Sequence, residues 1–352
     1  MKNAYNVVQI GNKMVDLVID LDTARMNFIN TRLEQTDSSL PKLSPVGGHY
    51  DVPEMHTALK RIILDNWDAL GARRAEGGSC YNTGRAALVG AEALCGKDVA
   101  NRLTIDHIAT SNVLDAIVAN MPTMQKDGVL VREKYLCKNP TARAVSLSEA
   151  QIASLASCDV LFFPLSTPNA YPNLLDQALK IVETENPNDV EIIGTFHGYN
   201  AEKSPVKHWA GMNAATVWVG NEKELGTPEL ANMRAAFLDM GDALLVETHG
   251  ERGLRLSTGD FRKDYPAVPV QEVLGCAIEG TAGCGNGVEG ATILHASGLS
   301  GGKTKEDKVN WLGAAANATA AAATTFPGTT LTSAQIPLVR KGFNYLTGHT
   351  PR

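Results

Sequence analysis

Several glycines cluster just before a helical pattern in the last quarter of the chain. Residues 280–287 read GTAGCGNG, and residues 288–296 continue with helical spacing. Backbone N–H groups converge where glycines open a helix, and the helix dipole at that end favours negative charge. Gly283, Cys284 and Gly285 therefore predict an anion cradle, and Asn286 follows them directly.

A second glycine pair precedes another helical pattern near residue 80. Gly77 and Gly78 leave room for a ligand to approach the backbone, because they carry no Cβ atom. Asn82 can both donate and accept hydrogen bonds, which suits a hydroxyl-rich ligand. The segment also fits a plain loop with a helix cap.

Polar residues follow two apolar runs further along the chain. Asn221 and Glu224 are three residues apart and could together hold a hydrated Mg²⁺ near phosphates, or simply cap a helix. Thr248, Gly250 and Gly253 would form a turn with exposed N–H groups that suits a nucleotide, or an ordinary hairpin turn. We expect His249 to be a surface loop residue rather than a base.

Two further glycine patterns imitate well-known motifs. Residues 285–290 spell GxGxxG, but no hydrophobic strand precedes them and fewer than 70 residues follow, so we reject a dinucleotide-binding unit. Residues 298–304 resemble a phosphate-binding P-loop, but the required first glycine is Ser297 and a helix precedes them.

The elements that must position these residues alternate along the chain. Apolar runs predict strands at residues 7–10, 160–163, 191–196, 217–219 and 243–247. Helical patterns cover residues 81–94 and 173–185, begin again near Pro228, and include a packed Ala-rich run at 314–323. This alternation predicts an α/β fold with a mostly parallel sheet, in which ligands bind beyond the carboxyl ends of the strands.

Two stretches break this rhythm. Residues 16–51 are polar and mixed, and residues 124–148 contain two candidate strands at 128–131 and 142–145. We interpret both as excursions from a single core spanning residues 1–352, which together form a small β lid.

Composition excludes several classes of protein. The chain has 352 residues, 44% of them hydrophobic, and a net charge of −6, which argues against nucleic acid as a main partner. No long apolar segment predicts a membrane span, and the first residues lack the pattern of a secretory signal. Six cysteines without CxxC spacing indicate free thiols, so we expect a cytoplasmic location.

The glycine signals occur in an order that resembles the ribokinase-like (PfkB-type) family of sugar and nucleoside kinases. Residues 11–16 (GNKMVD) are similar to the opening motif of that family, and the glycine pair with Asn82 is similar to its first signature. Residues 96–98 (GKD) and 140–144 (PTARA) also fit, and residues 283–286 stand where the family has GAGD. The resemblance runs over nearly the whole chain and leans weakly toward the adenosine-kinase-like branch.

The resemblance implies a Rossmann-type core with a small β lid, ATP and Mg²⁺ as cofactors, and a sugar or nucleoside as substrate. It implies phosphate and catalytic contacts at Gly283, Cys284, Gly285 and position 286, with Mg²⁺ held through water by Glu224. It further implies substrate contacts at Asn12, Asp16, Gly77, Gly78 and Asn82. It implies nucleotide contacts at Asn221, Glu224, Thr248, Gly250 and Gly253. The expected assembly is a monomer or a homodimer through the lid.

One departure from the family pattern affects the expected chemistry. The family has a catalytic Asp at position 286, and an amide cannot take up a proton at neutral pH. Three explanations remain open: a degenerate kinase kept for binding, a substitute base such as Glu289 or Glu279, or an engineered Asp-to-Asn change. We therefore expect an ATP-dependent kinase of uncertain turnover, with a ligand-binding sensor or scaffold of the same fold as the alternative.

Overall fold

The computed structural model describes most of the chain, and the strands of its large sheet carry the apolar runs. The described residues are 4–11, 14–44, 48–50, 53–109, 115–121, 124–126, 129–131, 134–138, 146–164, 173–187, 189–196, 214–226, 228–281, 283–326 and 328–348. Of the predicted positions, Asn12 and residues 140–145 lie outside them.

Fifteen strands are formed by the described residues. They are β1 Tyr5–Gly11, β2 Met14–Asp20, β3 Gly48–Tyr50, β4 Arg73–Gly77, β5 Leu103–Ala109, β6 Asp115–Asn120, β7 Met124–Lys126, β8 Val129–Val131, β9 Lys134–Lys138, β10 Val160–Pro164, β11 Glu191–Thr195, β12 Val217–Asn221, β13 Leu244–Thr248, β14 Leu254–Ser257 and β15 Arg262–Tyr265.

Helices connect most of these strands in the described part of the chain. They are α1 Thr23–Thr36, α2 Pro53–Asp65, α3 Trp67–Leu70, α4 Ser79–Leu94, α5 Lys97–Ala100, α6 Glu149–Leu155, α7 Leu174–Glu185, α8 Glu222–Leu225, α9 Pro228–Leu238, α10 Cys284–Ala296, α11 Lys305–Ala323 and α12 Ile336–Thr347. The predicted strands and helices of the core coincide with these elements to within a few residues, except that α11 begins at Lys305, well before the Ala-rich run predicted at 314–323.

The large sheet has eight strands in the order β15-β14-β13-β12-β11-β10-β1-β5. Pairing is parallel from β5 to β13, and β14 and β15 add an antiparallel edge. All five residues of β10 are buried, as expected for a parallel strand covered on both faces. The predicted mostly parallel α/β architecture is confirmed.

Helices cover both faces of the large sheet. On one face, residues such as Val7 and Phe162 pack in a core with α4, α10 and α11. On the other face, Val8 and Trp218 pack in a core with α6, α7 and α9. The alternating residues of a strand point to opposite faces, so the two cores share the same strands.

A smaller sheet of five strands has the order β3-β9-β6-β2-β4. Its pairs are mixed: β2 runs parallel to β6 and antiparallel to β4. Helices α1 and α2 pack on it in a separate core that includes Leu17, Ile29, Leu59 and Ile117. Strands β4 and β6 lie outside both predicted excursions, and the 14-residue helix α1 lies within the first of them. Strands β7 and β8 form a separate antiparallel pair, which contains residues 129–131 of the strand predicted at 128–131; residue 128 lies outside the described residues.

Candidate functional site

A cleft of about 310 Å³ opens at the carboxyl ends of three neighbouring parallel strands. Strands β11, β12 and β13 end there at Thr195, Asn221 and Thr248, and α10 contributes side chains from its first turns. The lining residues are Thr195, Val219, Gly220, Asn221, Glu224, Thr248, Gly285 and Glu289. This is the edge of a parallel sheet at which ligands bind in α/β proteins.

The predicted anion cradle lies at the N-terminus of α10. Gly283 caps the helix with φ +97°, and a Cβ atom there would lie 2.8 Å from the carbonyl oxygen of Thr329, so the position requires glycine. The Cys284 N–H donates to the Thr281 carbonyl at 3.3 Å. A Cβ atom on Gly285 would meet nothing within 4 Å, because Gly285 faces the cleft. The dipole of this thirteen-residue helix is therefore aimed at open space that an anion can enter.

Asn286 is buried beside a threonine of α4. Its side chain is 6% exposed, and the hydroxyl of Thr83 lies 3.3 Å from its Oδ1 atom. Thr83 is fully buried and was not singled out from the sequence. Thr83 directly follows Asn82 in the sequence. Helix α4, which follows Gly77 and Gly78, therefore contributes to the site through Thr83, one residue after the predicted Asn82.

Glu289 lies one helical turn after Asn286 and is 2% exposed. The hydroxyls of Thr83 and Thr195 donate to its two carboxylate oxygens at 2.5 and 2.6 Å. Burial, and then the charge of Glu289, raise the pKa of the nearby Cys80 thiol far above its ordinary value. Thr195 was also missed by the sequence analysis; its position at the end of a predicted strand is the signal that could have found it.

Asn221 and Glu224 form a reciprocal capping box at the start of α8. The Asn221 side chain accepts from the N–H groups of Lys223 and Glu224, both at 2.9 Å. The Glu224 carboxylate accepts from the Asn221 N–H at 2.9 Å. The helix-cap interpretation therefore describes their contacts, and both residues also line the cleft.

The segment after β13 is a tight hairpin loop that leads into β14. The N–H of His249 donates to the carbonyl of Gly253 at 2.8 Å, and a short 3₁₀ turn covers Gly250–Arg252. His249 has a largely covered side chain, with Nδ1 3.1 Å from a carboxylate oxygen of Glu222. Hydrogen bonds from His249 and Arg252 lower the pKa of the Glu222 carboxyl. Of this loop, Thr248 reaches the cleft lining.

The predicted substrate residues lie on the small sheet and at the start of α4. The Asp16 carboxylate is 8% exposed and lies against Gly77, where a Cβ atom would be 1.9 Å from its Oδ2 atom. Gly78 caps α4 with φ +93°. Asn82 accepts a hydrogen bond from the hydroxyl of Thr330. The structure thus brings Asp16 and Gly77 together, and it places Asn82 on the helix that carries Thr83.

The two glycine patterns that resemble a dinucleotide-binding motif and a P-loop have roles in helix packing and helix capping. A Cβ atom on Gly287 would lie 2.9 Å from the Ala320 nitrogen, and one on Gly290 would lie 2.7 Å from the Ala87 nitrogen. These glycines let α10 pack closely on α11 and α4. The P-loop-like segment follows α10 and ends at Thr304, which caps α11 through Asp307.

The donor set at the cleft fits a hydrated magnesium ion. Mg²⁺ prefers carboxylate and carbonyl oxygens and usually keeps several of its waters. Glu224 supplies a carboxylate to the lining, and no group of three or more His, Cys, Asp or Glu ligands occurs among the described residues.

The other sequence expectations concern cysteines and membranes. Within the described part of the chain, Cys80, Cys95, Cys158, Cys276 and Cys284 are free thiols. No helix among the described residues is long and apolar enough to cross a membrane.

Solved structures with the same architecture match nearly the full length of this chain. No protein-family model and no curated protein sequence matches it. Adenosine kinase from Schistosoma mansoni in complex with adenosine is 15% identical, with a TM-score of 0.61 and 95% and 98% of the two chains covered. Adenosine kinase from Sinorhizobium meliloti is 17% identical, with a TM-score of 0.56 over 96% and 98% of the chains.

Ribokinase from Arabidopsis thaliana, complexed with ribose and ATP, is 15% identical. Its TM-score is 0.55, over 96% and 99% of the two chains. This chain has the ribokinase-like fold. The resemblance inferred from the order of the glycine motifs is confirmed at the level of the fold.

Proposed function

We propose that this chain is an ATP-dependent kinase that phosphorylates a hydroxyl group of a sugar or nucleoside. The observation that carries the proposal is the cleft where the ends of β11, β12 and β13 meet the N-terminus of α10. The N-terminus of a helix, the carboxylates of Glu224 and Glu289, and Thr248 at the end of β13 converge there. The solved sugar and nucleoside kinases of that fold support the same assignment.

Different residues of the cleft have different roles in phosphoryl transfer. The backbone at Gly283, Cys284 and Gly285 holds the transferred phosphate, and the loop of Thr248, Gly250 and Gly253 holds the rest of the nucleotide. Asn221 and Glu224 act through water on a magnesium ion, which neutralises charge on the phosphate oxygens when bound. Catalysis in this reaction is mostly positioning and charge stabilisation, which backbone groups can supply.

The acceptor would bind against the small sheet. The Asp16 carboxylate can accept hydrogen bonds from two hydroxyl groups at once, which suits a sugar or the ribose of a nucleoside. Gly77 and Gly78 leave space beside it, and Asn12 and Asn82 would complete the contacts. The small sheet then acts as the lid over the acceptor.

A second function is favoured by Asn286. Losing a general base typically slows a reaction by about 10²–10⁴-fold. A chain with an intact cleft and an amide at this position could bind sugar, nucleoside or nucleotide as a sensor or scaffold without turnover.

A ligand panel distinguishes the two functions. Thermal unfolding is measured with ATP and Mg²⁺, with single sugars and nucleosides, and with both together, while ADP release is followed in parallel. A ligand present at 100 times its Kd stabilises the folded state by about 2.7 kcal/mol. Stabilisation with ADP release supports the kinase, and stabilisation without product supports the binding protein. No stabilisation by any member would overturn both.

A further inference from the structure

Glu289 is a buried carboxylate in the cleft without a cationic partner. It is 2% exposed, and no ion pair among the described residues includes it. Buried carboxylates are rare unless they are paired, because removing the charge from water is costly. Two hydroxyl donors, Thr83 and Thr195, are its partners. A buried carboxylate held only by hydroxyl groups is suited to accept a proton from a ligand.

The carboxylate stands next to the position that lacks a base. Residues three and four apart share a helix face, so Gly285, Asn286 and Glu289 lie on the same side of α10. Gly285 and Glu289 both line the cleft. Asn286 and Glu289 both contact the Thr83 hydroxyl, which therefore joins the amide to the carboxylate.

Glu289 and Asn286 differ in the hydrogen bonds and protons that they can accept, so they have different roles. The single Thr83 hydroxyl hydrogen goes to Glu289, at 2.5 Å, rather than to the more distant Asn286 amide, at 3.3 Å. A carboxylate can accept about four hydrogen bonds, and the two threonines leave capacity for a ligand hydroxyl. Asn286 can orient that hydroxyl but cannot accept its proton.

We propose that Glu289 is the catalytic base of this chain, in place of a carboxylate at position 286. This inference rests on the proposed kinase function. The acceptor oxygen forms a bond to the γ-phosphorus of ATP, and the bond from that phosphorus to the bridging oxygen breaks. The bond's electron pair leaves on the terminal phosphate of ADP, and the acceptor proton passes to the Glu289 carboxylate and then to water in the cleft.

Four proteins test the assignment: the unaltered chain, Glu289→Gln, Asn286→Asp, and the double variant. Each is assayed for ADP release and phosphorylated acceptor with ATP, Mg²⁺ and the best acceptor from the ligand panel. ATP binding is measured separately by calorimetry. Glu272→Gln is the matched control, because Glu272 is an exposed glutamate that does not line the cleft.

The expected result is a loss of about 10²–10⁴-fold in Glu289→Gln, with ATP binding retained, and no loss in Glu272→Gln. Moving the carboxylate to position 286 should restore turnover in the double variant.

Three results would overturn the assignment while leaving the kinase function intact. They are full activity in Glu289→Gln, activity that appears only with Asn286→Asp, and a loss in Glu289→Gln that the double variant does not recover. If all four proteins bind ATP and none forms product with any acceptor, the kinase function fails and this inference fails with it.

Discussion

The side chain that best separates acceptor recognition from nucleotide binding is Asp16. It extends from β2 of the small sheet, and its carboxylate occupies the space that a side chain at Gly77 would need. None of the residues that line the cleft at the other end of the site belongs to the small sheet. A change at Asp16 should therefore act on one ligand only.

Replacing Asp16 by Asn should weaken sugar or nucleoside binding by roughly 10–100-fold. A hydrogen bond to a charged group contributes about 1.5–3 kcal/mol, and every 1.4 kcal/mol is tenfold in affinity. Calorimetry with the acceptor and with ATP checks this, and the affinity for ATP should stay constant. Equal losses for both ligands would mean that the variant is misfolded rather than impaired in recognition.

Among the elements, the short helix α8 combines structural and functional roles in two residues. Its capping box needs a side-chain acceptor at position 224 but not a charge, because glutamine serves as well as glutamate in this motif. The magnesium role needs the charge. The two roles can therefore be separated by substitution.

Glu224→Gln should keep the fold and raise the Mg²⁺ concentration needed for nucleotide binding by roughly 10–100-fold, as expected when a group around a metal is altered. Glu224→Ala should show the same Mg²⁺ effect and also lose stability, because the cap is gone. Mg²⁺ titrations of ATP binding and thermal unfolding of both variants provide the measurement. An unchanged Mg²⁺ dependence in Glu224→Gln would leave only the helix cap.

The elements of the core were predictable because their residues carry local signals. The apolar run of β10 and the apolar face of α4 have the lengths and spacings of buried strands and helices, and glycine clusters marked the ends that face the cleft. Strands β4 and β6 were missed because they pair with β2 across long sequence separations, and Arg73 and Arg74 give β4 no apolar pattern. When a strand pairs with a partner that is distant in the sequence, its own residues do not show an apolar pattern that would predict it.

The glycines of the site were predicted from the sequence, but its threonines were not. Gly283 needs a positive φ, and only glycine accepts it without strain, so the sequence records the geometry. Thr83 and Thr195 look like any other threonine in a helix and a strand. Their role arises because α10 brings Glu289 between them, and this depends on how three elements pack.

For the whole molecule, a half-buried histidine of α10, His295, predicts a pH dependence of stability. Burial, and then the charge of Lys308, lower the pKa of His295 to about 4, and its Nδ1 atom is buried without a partner. An unfolded histidine titrates near 6.5. Between these values the unfolded chain binds the proton and the folded chain does not, so stability falls as the pH falls.

Between about pH 7.5 and pH 5, this histidine should lower the free energy of unfolding by about 2 kcal/mol. Urea unfolding at the two pH values measures the loss, and His295→Gln should reduce it by that amount. Carboxylates elsewhere affect both proteins equally, so the difference between them isolates His295. Equal losses in the two proteins would mean that His295 is protonated as easily in the folded state as in the unfolded one.

The position of β1 in the middle of the large sheet bears on the order in which the chain can fold during synthesis. Its Val7 pairs with Val160 of β10, so that neighbour is not available until residue 160 has been made. The small sheet is different, because β9, its last strand along the chain, ends at Lys138. All strands of the small sheet are therefore synthesised before β10, at a stage when β1 has only one of its two neighbouring strands, β5.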